Sequence, residues 1–319
     1  MGVEVQTLRL LLLAKRAGVG FNATISLGHQ DILVTSNRLR DVFAAFDMQI
    51  SEAEAVLMTT SSNRFCDELF ARLGATQIDS VDASGFEEAT ILHDLNQPFP
   101  SHLVNRYSLA FDGGTLEHVF DLPRALRNFM ELPSIGGHII MVSPANNHMG
   151  HGFYQFSPEL FYRVFSEENG YRLRALYLAR LFSDSDWFRV MDPAIVQSRV
   201  GYNSTLSAFS LLAIARRVSL APIFKNPPQQ SDYVSEWKNR PNKTETGNRL
   251  SFFERAVNQE TRQTHGFAKV KSLIKKAVPH RTKERLRAWR AWAEPNPKHF
   301  ERCFSLAAEQ RRLEHEGTE

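Results

Sequence analysis

Asp82, Asp94 and Asp112 each close a short apolar run, and the last opens into Gly113-Gly114 and then Glu117-His118. A carboxylate after a second strand is well placed to accept both hydroxyls of a ribose. One after a third strand can accept from an adenine amino group, with Leu95 against the ring. Paired glycines let a ligand approach the backbone closely. One such acid more often caps a turn, but three in succession, all ending apolar runs, point to a ligand.

A second cluster lies in residues 144–161, PANNHMGHGFYQFSPELF, which gather Asn146, Asn147, His148, His151, Tyr154 and Gln155. A neutral imidazole suits deprotonation near pH 7, so His118, His148 and His151 are the candidate bases. Glu117, Asn146, Asn147, Tyr154 and Gln155 are the candidates to hold a substrate. Asparagines and histidines in a loop can equally well bond the backbone and hold its shape. Two histidines spaced by three can ligate a metal. The loop has no acid or third ligand of its own, so no metal site is expected.

The elements that must carry these residues alternate between strands and helices. Residues 23–27, 77–81, 90–93, 107–112 and 138–142 read as strands, with Gly136-Gly137 breaking the chain before the fifth. Residues 36–48 and 63–73 read as helices, the second stopped by Gly74. Asp121 caps a further helix with Pro123 in its first turn, and Ser157-Pro158 starts another that Gly170 ends. Residues 173–181 and 205–217 read as two more strands, able to pair as a hairpin at the sheet edge. This alternation implies an α/β fold with a mostly parallel, doubly wound sheet.

At 319 residues the chain can bury a large core. Its net charge of +3 is small and uneven: from residue 241 onward there are 17 Lys+Arg against 10 Asp+Glu, leaving 21 against 25 before it. Nucleic acid is not an expected partner. Cys66 and Cys303 are too few for a disulfide framework, which fits a reducing cytoplasm. The apolar run Leu10–Ala14, flanked by Arg9 and Lys15-Arg16, is too short to span a bilayer and reads as a short amphipathic helix. The expected organisation is an α/β domain over 1–221 (with the N-terminal helix in 1–20), a Pro- and Asn-rich linker over 222–250, and a helical basic extension over 251–319. Within that extension residues 298–315 read as one helix. Residues 262–293 interleave lysine and arginine with Val270, Leu273, Ile274, Trp289 and Trp292, a pattern suited to peripheral contact with an anionic membrane.

The blocks SVDAS at 80–84, ILHDLNQPFP at 91–100, YSLAFDGGTLEHV at 107–119 and GGHIIMVSP at 136–144 resemble, in content and spacing, the class I S-adenosylmethionine-dependent methyltransferases. The resemblance spans about residues 20 to 220 and implies a Rossmann-like sheet with S-adenosylmethionine as cofactor. It implies that Asp82 binds the ribose, that Asp94 and Leu95 border the adenine, and that Asp112, Gly113 and Gly114 lie beside the methionine portion. Glu117 and His118 then face the acceptor, a small molecule or a glycan or lipid-linked molecule. The first-strand loop departs from the family: Ser26-Leu27-Gly28-His29-Gln30-Asp31 holds one glycine where several are usual. Gly28, His29 and Gln30 then make the contacts there, the last two by side chains. The rival reading is a non-catalytic binding or scaffold protein that keeps the sheet. A nicotinamide dehydrogenase is weaker, because the same loop lacks G-x-G-x-x-G.

Overall fold

The computed structural model describes residues 2–60, 64–202, 207–239, 296–303 and 305–315. Its centre is a nine-stranded sheet built from β2 (Ala23–Leu27), β4 (Gln77–Asp82), β5 (Ile91–Leu92), β6 (Tyr107–Asp112), β7 (Pro133–Asn146), β8 (Tyr171–Ala179), β9 (Trp187–Val190), β10 (Phe209–Arg217) and β11 (Phe300–Cys303). The spatial order is β11-β9-β8-β10-β7-β6-β2-β4-β5. A separate parallel pair joins β1 (Gly2–Val3) to β3 (Asp31–Ile32).

From β5 to β7 every pairing is parallel. Counted along the chain, these five strands run 3-2-1-4-5, the order of a doubly wound Rossmann-like sheet. The order reverses between β2 and β6, so their carboxyl ends flank the switch-point crevice where such sheets bind ligands. Leu27 and Asp112 lie level across it.

Side chains alternate between two cores, as a sheet covered on both faces requires. Ile140, Val142, Leu212 and Ile214 point into one core, and Ile139, Met141, Leu211 and Ala213 into the other. The first core is covered by α1 (Val5–Arg16), α2 (Ser36–Ala45), α3 (Glu52–Thr59) and α4 (Asp67–Arg72); the second by α5 (Leu122–Glu131) and α6 (Pro158–Val164). Local chemistry sets these helices. Thr35 caps α2, Ser51 and Glu54 form a reciprocal capping box on α3, and Asp121 caps α5 with Pro123 in its first turn.

Several sequence expectations change. The N-terminal helix, expected to be amphipathic, is buried almost all round: Leu8 and Leu10 to Ala14 have no exposure. Its Gln6 is buried too, where its Oε1 accepts from Trp187 Nε1 at 2.7 Å. Gly136 and Gly137 do not end the chain before a strand but lie within β7, where pairing with β6 shifts register. The pair formed by β8 and β10 is not an edge, since β10 inserts antiparallel between β7 and β8, with β9 and β11 beyond.

Within the expected linker, residues 231–239 form helix α8 (Ser231–Asn239), tied to the body by Arg199–Asp232 at 2.9 Å. A short helix, α7 (Pro193–Val196), precedes it. Residues 298–315 are not one helix. Phe300 to Cys303 join the main sheet against β9, and α9 (Leu306–His315) packs back on the body, where Tyr177 donates to Glu309 at 2.9 Å. The basic stretch 262–293 lies outside the described residues.

Candidate functional site

The carboxyl edge of the sheet gathers the predicted residues into two regions on either side of β6. In the first, between β2 and β6, polar groups bond one another. Gln30 is buried; its Nε2 donates to Leu27 O at 2.5 Å and to Thr115 Oγ1 at 3.1 Å. Thr115 Oγ1 also donates to Leu27 O at 2.7 Å, while Asp112 Oδ1 accepts from the amides of Gly114 and Thr115. Gly28, at φ +69°, packs under this lattice: a Cβ there would meet Thr115 Oγ1 at 2.9 Å and Gln30 Nε2 at 3.0 Å. A Cβ on Gly113 would meet Gln30 Oε1 at 2.6 Å. The glycines are therefore required by Gln30 itself, which fills the space above them.

The remaining cofactor candidates disperse around this plug. His29 turns away. Its Nδ1 meets Glu87 O at 2.7 Å, its Nε2 meets Asp67 Oδ2 at 2.6 Å, and its ring stacks on Phe65. Burial opposes charging it, but these two acceptors outweigh burial and raise its pKa, which favours the imidazolium. Asp82 keeps one carboxylate oxygen for its own turn, accepting from Ser84 N at 2.8 Å, and leaves the other without a protein partner among the described residues. Asp94 is exposed and accepts from Asn96, whose backbone amide lowers its pKa. Leu95 is buried in the core, and its carbonyl accepts from Asn128.

Across β6 the pattern differs. A single 3-10 turn, Leu116–His118, follows β6 and carries Glu117 and His118. The loop after β7 is clamped onto it: Phe153 N donates to Glu117 O at 2.7 Å, and Tyr154 Oη donates to Phe120 O at 2.7 Å. Gly152, at φ +68°, makes this approach possible, because a Cβ would lie 2.8 Å from Glu117 O. The clamp sets His151 Nε2 3.4 Å from Glu117 Oε1, with His118 Nε2 4.0 Å from the same atom. The His118 and His151 rings meet edge-on with centroids 4.8 Å apart. The structure thus brings together an acid and a third ligand that the loop sequence alone lacks.

Glu117 has no exposed surface, and among the described residues neither carboxylate oxygen has a hydrogen-bond partner. Burial, and then the charge of Asp112, push its pKa up to about 8. Burial also raises Asp112, to about 6. Burial lowers His118, His148 and His151, so near neutral pH these imidazoles are neutral. His148 Nε2 faces Phe209 O at 3.1 Å, so that nitrogen carries the proton and Nδ1 keeps a free lone pair. Gln155 accepts from His148 N, Asn146 donates to Tyr202 O, and Asn147 donates to Ser207 O. These three side chains shape the loop. Exposed Phe120, Met149 and Phe153 form an apolar lip beside the cluster.

Two cavities stand elsewhere. One of about 340 Å³ lies among Tyr162, Arg172, Arg189 and Arg312, and one of about 270 Å³ among Val5, Val34, Arg38 and Phe182. Neither is lined by any of the predicted site residues.

No protein-family model matches the chain, and no curated protein matches it. Solved structures similar to it include an S-adenosylmethionine-dependent methyltransferase from Mesorhizobium loti, at 16% identity and TM-score 0.34, covering 65% of this chain and 95% of that one. Another is the C9 mutein of a branched-chain polyamine synthase from Thermus thermophilus in complex with N4-aminopropylspermidine and 5'-methylthioadenosine, at 13% identity and TM-score 0.34, covering 70% of this chain and 59% of that one. A third is the trans-methyltransferase CalH in complex with SAH, at 12% identity and TM-score 0.34, covering 67% and 55%. The chain spans little more than half the length of the last two. The Rossmann-like α/β fold of this protein rests on its own strand order and register.

Proposed function

We propose that the protein is an S-adenosylmethionine-dependent methyltransferase acting on an oxygen or nitrogen acceptor at the carboxyl edge of the sheet. The observation that carries the reading is the switch point itself. Asp82 ends the strand beside β2 with an oxygen open to a ribose, and an acid–imidazole cluster stands on the far side of β6.

The residues fit the cofactor unequally. The nucleoside side offers Asp82 and Asp94. The methionine side offers two buried acceptors without donors, Gln30 Oε1 and Asp112 Oδ2, on either side of Gly113. Asp112 Oδ2 suits an ammonium group, and Gln30 must swing aside to admit one. When bound, S-adenosylmethionine supplies an electrophilic methyl group. The chain's own residues then align the acceptor and take its proton. His148 is the best-prepared base, because its Nε2–H is fixed by Phe209 O and its Nδ1 is free.

A glycan or lipid-linked acceptor is supported by the apolar lip of Phe120, Met149 and Phe153 next to polar histidines. Peripheral membrane contact through 262–293 is supported by the spacing of its basic and apolar residues. No helix among the described residues is long and apolar enough to cross a membrane. A cytoplasmic location is supported by the two free thiols, Cys66 and Cys303.

A second reading, a non-catalytic binding protein, is favoured by one observation: Gln30 and Thr115 close the crevice over Gly28 and Gly113. Calorimetric titration with S-adenosylhomocysteine separates the two. The methyltransferase reading expects saturable one-to-one binding, weakened about tenfold by Asp82→Asn through loss of a charged acceptor. No heat at millimolar ligand would leave the scaffold reading.

A further inference from the structure

We propose that Glu117, His118 and His151 form a binding site for a divalent cation of the zinc class, with a coordination position open to the acceptor face. The proposal stands independently of the methyltransferase reading.

Three observations carry it. First, one atom from each residue forms a set lying mutually within 4.8 Å. Zinc bonds of about 2.0–2.2 Å put adjacent donors of a tetrahedron about 3.4 Å apart. The Glu117–His151 pair stands at that separation, 3.4 Å. The Glu117–His118 pair, at 4.0 Å, needs a small turn of a ring that is nearly half exposed.

Second, among the described residues the buried Glu117 carboxylate has no hydrogen-bond partner, and His151 Nε2 is likewise buried without one. A buried carboxylate without donors is costly, and a missing ion is a standard resolution of that cost. Water and Lys or Arg side chains normally supply such donors; here, among the described residues, the two imidazoles pair with Glu117 Oε1, at 3.4 and 4.0 Å.

Third, the elements holding the ligands are rigid. Glu117 and His118 are consecutive on one 3-10 turn, and the Phe153 amide and Gly152 lock the His151 loop to the Glu117 carbonyl.

The donor set also gives the class of metal. Two imidazoles and one carboxylate suit zinc or iron(II) rather than magnesium or calcium, which take oxygen ligands. Three protein ligands with His118 and His151 partly exposed leave room for water or an acceptor oxygen, the pattern of open rather than structural zinc sites. Metal on His118 and His151 would occupy the lone pairs of two candidate bases and leave His148 for proton transfer.

The test uses the tag-free full chain, stripped with chelator and titrated with zinc(II) against a chromophoric competitor, with cobalt(II) absorption as a second readout. One equivalent should bind, and cobalt should give the intense visible bands of a low-coordinate site. His118→Ala and His151→Ala should each weaken zinc at least a hundredfold, and Glu117→Gln should do the same. Absence of stoichiometric uptake would overturn the site, as would uptake unchanged in the His118→Ala/His151→Ala double variant. If Glu117→Gln fails to fold, the two histidine variants decide alone, since both side chains are partly exposed. The calorimetric titration with S-adenosylhomocysteine is separate, so either reading can fail without the other.

Discussion

Within six residues, the chain leaving β6 enters two regions of opposite character. Asp112 to Thr115 turn toward β2, where Gln30, Thr115 and the Leu27 carbonyl bond to one another over two buried glycines. Glu117 and His118 turn toward β7, where a buried carboxylate has no donor and imidazoles collect around it. The first region uses its polar groups to hold two strand ends together. The second also bonds its loop together, but keeps the Glu117 carboxylate and His151 Nε2 buried outside that bonding. The contrast teaches that a strand-tip motif is read correctly only with its partners. At the acid-glycine-glycine turn Gln30 and Asp112 each use one polar atom in the lattice and leave one unmet, whereas just beyond it both Glu117 oxygens are unmet among the described residues.

The comparison can be broken most forcefully at Gly152. Gly152→Val places a branched Cβ against the Glu117 carbonyl at positive φ, and should cost about 3 kcal/mol. Denaturant unfolding should show the loss, and zinc uptake should disappear with it. A variant as stable as the parent would mean that the loop is not clamped.

A control lies at His138, a buried side chain on β7 whose ring nitrogens also lack partners but stand alone. Burial, then the charges of Arg174 and Arg216, lower its pKa to about 3. The unfolded chain therefore binds this proton first as pH falls. The stabilisation is full above about 6.5 and is lost progressively toward pH 3, amounting to about 2 kcal/mol at pH 5. His138→Leu should flatten the pH dependence of stability between 6.5 and 5, and an unchanged slope would contradict the assignment.

A smaller effect sharpens the closed region. Gln30→Gly removes the side chain over Gly28 and Gly113, and should tighten S-adenosylhomocysteine about tenfold, near 1.4 kcal/mol, if Gln30 must move to admit it. Weaker binding would instead make Gln30 a direct contact. The smallest effect is expected at Asp94, which is exposed and bonds only its own turn. Asp94→Asn should change stability by less than about 0.5 kcal/mol.

Much of the parallel sheet was legible because its signals are local. Apolar runs closed by acids and the Asp121 and Ser157 helix starts are read from neighbours in sequence, whereas Gly170 does not end α6, which stops at Val164, but closes a separate 3-10 turn, Glu167–Asn169. What was not legible depends on distant partners. Leu10 to Ala14 read as part of a short amphipathic helix because the segments that cover it, including β10 and α9, come some two to three hundred residues later. Phe300 to Cys303 looked helical in a mixed-charge stretch, and became a strand only by pairing with β9. At the site, Glu117, His118 and His151 were each picked out, but their meeting was not. It depends on a loop folding back onto a carbonyl, and the one hint was the glycine directly after His151. Gln30 was seen as a substitute contact, while its role as the plug between Gly28 and Gly113 follows only from the level register of Leu27 and Asp112.

The most direct test of the proposed function is hydrogen–deuterium exchange of the full chain with and without millimolar S-adenosylhomocysteine. The account predicts protection confined to the carboxyl edge, in peptides covering residues 27–31, 80–84 and 112–115, with about tenfold more ligand needed to reach it in Asp82→Asn. Unchanged exchange across those peptides, or protection only at the distant arginine-lined cavity, would contradict it.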